Sequence, residues 1–111
     1  MQIKKTYNQL QPELLYDELK DTVLKQGVEA GESKLTTYSV PDDSSSFVYR
    51  GLLTFKAKGG KECLRAHIVG SARGETRLMV DIDETLFPKT GVAAMEQDLG
   101  FIFGSYEAKR R

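Results

Sequence analysis

Residues 47–70 read FVYRGLLTFKAKGGKECLRAHIVG, and residues 71–82 continue SARGETRLMVDI. Phe47 to Ala57 alternates apolar and polar side chains, the period of a strand with one buried face. Lys58-Gly59-Gly60-Lys61 has the composition of a two-residue hairpin turn. Folding back about Gly59-Gly60 sets Phe55 opposite Leu64, Leu53 opposite Ala66, Gly51 opposite Ile68 and Tyr49 opposite Gly70. Apolar residues then meet apolar residues, with large opposite small in three of the four pairs. A second turn at Ala72-Arg73-Gly74, with Gly74 at its left-handed position, sets Ile68 opposite Leu78, Ala66 opposite Val80 and Leu64 opposite Ile82. A one-residue slip would turn Asp81 and Asp83 into the core, so the pattern selects its own register.

Working outward, Ile3 and Tyr7 mark a short strand over residues 1–8. Pro12, Glu13 and Gly27 then bracket a helix, with Leu15, Leu19 and Val23 recurring every four residues. Glu29 to Ser33 reads as a loop, Lys34 to Val40 as a strand, and Pro41 to Ser46 as a turn-rich break. A second helix is expected from about Thr90, with Val92, Met95, Leu99, Ile102 and Tyr106 on one stripe. Gly100 and Gly104 are costly in a helix interior and leave Phe101-Ile102-Phe103 open to a strand reading. Lys109-Arg110-Arg111 forms a basic tail.

The expectation is one α+β domain over 1–111. It has a four- to five-stranded antiparallel sheet, two helices on one face, and the order β-α-β-β-β-β-α. This order is similar to the TATA-box-binding-protein-like arrangement and to a shortened helix-grip fold of START and Bet v 1 proteins. Element order alone carries that resemblance. It implies a site for a small apolar ligand between sheet and C-terminal helix. Such a pocket would be lined by Leu53, Phe55, Ala66, Ile68, Val80, Met95, Leu99, Ile102 and Phe103. A filled core is the competing reading of the same residues.

Composition narrows function further. Of 111 residues, 40% are hydrophobic and 29% charged, a globular balance. Sixteen basic and sixteen acidic residues cancel, which gives no general attraction to nucleic acid and little repulsion against self-association. Cys63 is the single cysteine, so no disulfide forms within the chain and a reducing compartment is the simpler setting. The N-terminal residues lack a signal-peptide pattern, and no apolar run approaches the roughly 18 residues of a membrane span, so cytoplasmic residence is expected.

Leu78-Met79-Val80-Asp81-Ile82-Asp83-Glu84-Thr85-Leu86 resembles the first motif of haloacid dehalogenase-type phosphatases. The resemblance implies Asp81 as nucleophile, Asp83 as acid/base and Mg²⁺ between them. It covers these nine residues alone and sits among antiparallel hairpins, where that family uses a buried parallel strand. In the register above, Asp81 faces Arg65 and Asp83 faces Cys63 on the surface away from the core. His67 and Cys63 share a strand face roughly 13 Å apart by strand rise, too far for a nucleophile pair. No catalytic constellation and no cofactor site is therefore legible.

The face away from the core remains. Its rows run Arg50–Val69–Arg77, Leu52–His67–Met79, Thr54–Arg65–Asp81 and Lys56–Cys63–Asp83. Val48, Arg50, Leu52, His67, Val69 and Met79 are its candidate interface residues. The function expected is a non-enzymatic interaction or regulatory module, self-associating as a dimer through the open face or an edge strand. A binding protein for a small apolar ligand is the alternative, and a metal-dependent hydrolase at Asp81 and Asp83 a remote one.

Overall fold

A computed structural model describes residues 1–37, 47–71 and 74–107, without the side chains of Phe47, Val48 and Ser71. The elements in chain order are β1 (Gln2–Asn8), α1 (Pro12–Leu24), β2 (Glu29–Thr37), β3 (Phe47–Lys56), β4 (Glu62–Ser71), β5 (Glu75–Ile82) and α2 (Lys89–Phe103). A 3₁₀ turn follows at Gly104–Tyr106. The five strands form one antiparallel sheet in the order β1-β5-β4-β3-β2. The expected break over 41–46, the strand end at 38–40, the turn residues 72–73 and the tail 109–111 lie outside the described residues.

The central register is the one the alternation selects. Tyr49, Gly51, Leu53 and Phe55 pair with Gly70, Ile68, Ala66 and Leu64, and Ile68, Ala66 and Leu64 pair onward with Leu78, Val80 and Ile82. Its turn differs from the expectation. Ala57 N–H donates to Lys61 O (2.8 Å) and Gly60 N–H to Ala57 O (3.0 Å), which closes a three-residue loop. Lys56 therefore faces Glu62, and a bulge returns the register by Phe55–Leu64. Cys63 is the extra residue of that bulge. It is buried, its Sγ donates to Phe55 O at 3.5 Å, and burial pushes its thiol pKa up. Of the expected row Lys56–Cys63–Asp83 the first pairing does not form, while Asp83 N–H still donates to Cys63 O at 2.9 Å.

Another correction concerns β2. It begins at Glu29, where a loop was expected, and it absorbs Gly31 and Glu32 as a bulge opposite Thr54. Glu32 N–H donates to Thr54 Oγ1 at 2.6 Å, and a Cβ on Gly31 would stand 2.6 Å from that same oxygen. The Thr54 hydroxyl thus supplies the partner that extends a weakly strand-forming stretch.

Helices cover one face. On α1, Leu15, Leu19, Thr22 and Val23 are buried, and on α2 the buried residues are Gly91, Met95, Leu99 and Phe103. The second stripe ends on Phe103, not on Ile102 and Tyr106, which are 40% and 41% exposed. Residues 101–103 are helix, which decides against a strand there. Gly51 and Gly70 let α1 approach the sheet, because a Cβ there would lie 2.9 Å from the Tyr16 ring and 2.5 Å from Pro12 Cγ. The shortest dimension is 19 Å, which accommodates one sheet and one helix layer at about 10 Å each. The opposite sheet face is open.

Candidate functional site

On the open face, β2, β3, β4, β5 and β1 align Lys34, Leu52, His67, Met79 and Lys4 in one row. The next row is Thr36, Arg50, Val69, Arg77 and Thr6. Leu52, His67 and Val69 are half-buried and Met79 is 38% exposed, while Arg50 is exposed. Lys4, Thr6, His67, Val69, Arg77 and Met79 border a shallow depression of about 890 Å³. The side chain of Val48 lies outside the described residues.

The polar groups of this face are satisfied largely among themselves. Lys34 pairs with Glu32 at 3.6 Å, Arg65 with Glu62 at 3.1 Å and Arg77 with Glu75 at 2.9 Å. Arg65 stands opposite Asp81 in register, as expected, but its partner is another carboxylate: Arg65 donates to Glu62, and Asp81 accepts from Gln2 Nε2 at 2.9 Å. The chain's own local geometry, Glu62 three residues before Arg65, wins over the cross-strand partner.

Asp83 lies past the end of β5. Its Oδ1 accepts from Thr85 Oγ1 at 2.6 Å and Thr85 N–H at 3.0 Å, and these bonds hold its carboxyl below the ordinary aspartate range. Phe87 N–H and Leu86 N–H donate to Asp83 O at 2.9 Å and 3.1 Å, so the residue organises the turn leading to α2. Among the described residues no group of three or more His, Cys, Asp or Glu is placed to hold a metal ion. The phosphatase-like residues thus come out in different settings, Asp81 on the sheet surface and Asp83 in a turn.

Leu53, Phe55, Ala66, Ile68, Val80, Met95, Leu99 and Phe103, the candidate pocket residues, sit in one hydrophobic core at 0–3% exposure. Ile102 points away from it. The buried Tyr49 hydroxyl has no hydrogen-bond partner among the described residues, and burial raises its pKa far above the ordinary phenol value.

The two sheet edges differ. At one, β1 meets the chain's own C-terminal segment: Tyr7 and Glu107 form an antiparallel bridge, Lys5 Nζ lies 3.0 Å from Glu107 Oε1, and the Tyr7 and Phe103 rings meet edge-on at 6.0 Å. At the other, among the described residues, β2 pairs with β3 alone. Every residue of β2 except Gly31 is exposed, and Leu35, opposite Gly51, is 51% exposed. Sequence reasoning anticipated an edge strand without locating Leu35 or Glu107. The exposed apolar Leu35 amid Ser33-Lys34 and Thr36-Thr37 was the available signal, whereas nothing local marks Glu107 as a strand partner.

Among the described residues no helix is long and apolar enough to cross a membrane. No protein-family model matches this chain, and no curated protein matches its sequence.

Proposed function

We propose that this chain is a non-enzymatic interaction module that self-associates by antiparallel pairing of β2 with β2 of a second copy. The observation that carries the reading is the β2 edge itself, a nine-residue strand paired on one side and exposed on both faces, with Leu35 half in water. An unpaired strand edge presents a row of backbone donors and acceptors that another strand satisfies.

The occupant is argued from register. The bulge at Gly31-Glu32 disrupts the first half of β2 and leaves Ser33–Thr37 as the regular half. A two-fold axis at Leu35 sets Leu35 opposite Leu35, Lys34 opposite Thr36 and Ser33 opposite Thr37. No like charges meet, and the two half-exposed leucines cover each other on the helix-bearing side. Sixteen acidic and sixteen basic residues leave no net repulsion between copies. A two-fold pairing of this kind is closed, because each copy uses up its own β2 edge.

Sedimentation velocity over a micromolar to submillimolar series tests the reading. The expected result is a concentration-dependent monomer–dimer equilibrium, weakened by Leu35→Asp and left intact by Leu52→Asp on the open face. A strict monomer throughout, or a dimer sensitive only to Leu52→Asp, overturns it.

A further inference from the structure

The opposite edge carries a separate signal. On its outer side the backbone pairing of β1 is, among the described residues, only the bridge from Tyr7 to Glu107. The segment making that bridge leaves α2 after the buried Phe103. None of Gly104–Tyr106 is buried, and a Cβ on Gly104 would meet nothing within 4 Å. Among the described residues the segment meets β1 through one bridge and one ion pair, whose side chains are 37% and 39% exposed. Such a pair contributes little.

We infer that the β1 edge is a docking site for an extended, acidic segment of a partner protein, and that Gly104–Glu107 is the chain's own placeholder in it. Strand addition supplies affinity through main-chain hydrogen bonds, and side-chain chemistry supplies selectivity. The placeholder displays that chemistry: an antiparallel approach at Tyr7 with a carboxylate on Lys5. Lys4 stands next along the strand and projects to the open face, so carboxylates on either side of an incoming strand find a cation. A second copy of β1 is a poor occupant, since pairing two such strands brings four lysines together within seven residues. The inference stands independently of the β2 pairing, which uses the far edge of the sheet.

Fluorescence anisotropy with an end-capped, labelled heptapeptide of alternating glutamate and valine tests it, with the lysine-for-glutamate peptide beside it. The full chain is expected to bind the glutamate peptide, weakening with salt, and not the lysine peptide. Glu107→Lys drives the placeholder off Lys5 and is expected to tighten binding about tenfold, the cost of one exposed ion pair and one bridge. Lys5→Glu is expected to weaken binding of the glutamate peptide and to lessen its salt dependence. Should Glu107→Lys fail to fold by circular dichroism, Glu107→Gln removes the ion pair without reversing charge and is expected to tighten binding to a smaller extent. Equal binding of both peptides, unchanged affinity in a folded Glu107 variant, or growth of that variant into larger self-assemblies overturns the inference. Leu35→Asp is expected to leave peptide affinity unchanged, which separates failure at this edge from failure at β2.

Discussion

Leu35→Asp places the central claim under the sharpest strain. Fully burying a leucine side chain stabilises by about 1.5–3 kcal/mol. Leu35 is 51% exposed in the monomer, so roughly 1 kcal/mol per copy remains to be gained on pairing, or about 2 kcal/mol per dimer. In the two-fold register centred at this position the introduced carboxylates face each other, which costs about 0.2–1 kcal/mol more. The sum, about 2–3 kcal/mol, corresponds to a dimer Kd weakened roughly 30- to 150-fold. The monomer, in contrast, loses little, since exposed substitutions change stability by about 0.5 kcal/mol or less. Sedimentation equilibrium reads the first quantity and urea unfolding at low concentration reads the second. Leu35→Thr repeats the apolar loss without the charge and is expected to fall between wild type and Leu35→Asp. A Kd within about threefold of wild type for Leu35→Asp refutes the register and the edge assignment together.

Glycine positions separate packing from propensity. Gly70→Ala forces a methyl to 2.5 Å from Pro12 Cγ and is expected to destabilise by about 1–3 kcal/mol in urea unfolding. Gly100→Ala meets nothing within 4 Å inside α2 and is expected to stabilise by about 0.5–1 kcal/mol. Thr85→Ala removes the hydroxyl bond, the largest of the causes that lower the Asp83 pKa, and keeps the backbone N–H bond. A lowered folded-state pKa adds stability that is present above the unfolded value, about 4, and is lost as pH falls through the folded one. The gap between wild type and Thr85→Ala in unfolding midpoint is therefore expected to close on acidification. Burial first, and the nearby Glu107 second, push the Tyr7 phenol up to about 12. The neutral form is thus favoured in the fold, and stability is expected to be full below about pH 10 and to fall towards pH 12. Tyr7→Phe, by urea unfolding, should flatten that alkaline limb by an amount on the order of 2 kcal/mol.

The central hairpins were legible because their alternation has a single solution: any slip buries Asp81 and Asp83. Even so, the correct register is reached through a different turn. The three-residue loop at Lys58–Gly60 shifts the pairing by one, and the Cys63 bulge shifts it back. Two compensating irregularities leave no trace in an apolar–polar pattern. The first half of β2 was illegible for a related reason, since Glu29–Ser33 owes its extension to a hydroxyl that Thr54 offers from the neighbouring strand. On α2, Ile102 and Phe103 differ by one position, and a period of 3.6 residues admits either; the Tyr7 ring decides for Phe103. Arg50, Leu52, His67, Val69 and Met79 fall on the expected open face, whereas Cys63, expected there too, is turned into the core by its bulge, and the side chain of Val48 lies outside the described residues. The ion pairs of this face were not legible: Glu62, three residues before Arg65, takes the place of Asp81, and Glu75, two residues before Arg77, holds that arginine.

Why the edge and not the face should carry association follows from what each loses on contact. Covering the open face removes Lys34, Arg65 and Arg77 from water together with their carboxylate partners, and Arg50, which is engaged as well. Taking such pairs out of water costs more than their attraction returns unless the partner surface supplies matched groups. The apolar return is modest, since Leu52 and Val69 are already half-buried and Met79 is 38% exposed. At β2 the balance reverses. Among the described residues β2 pairs with β3 alone, and a second strand supplies main-chain partners along its other edge. Association there joins two sheets into one of ten strands and leaves both open faces on the same side. A face assembled in this way would present His67 and its flanking cations twice, in two-fold relation, to whatever binds it.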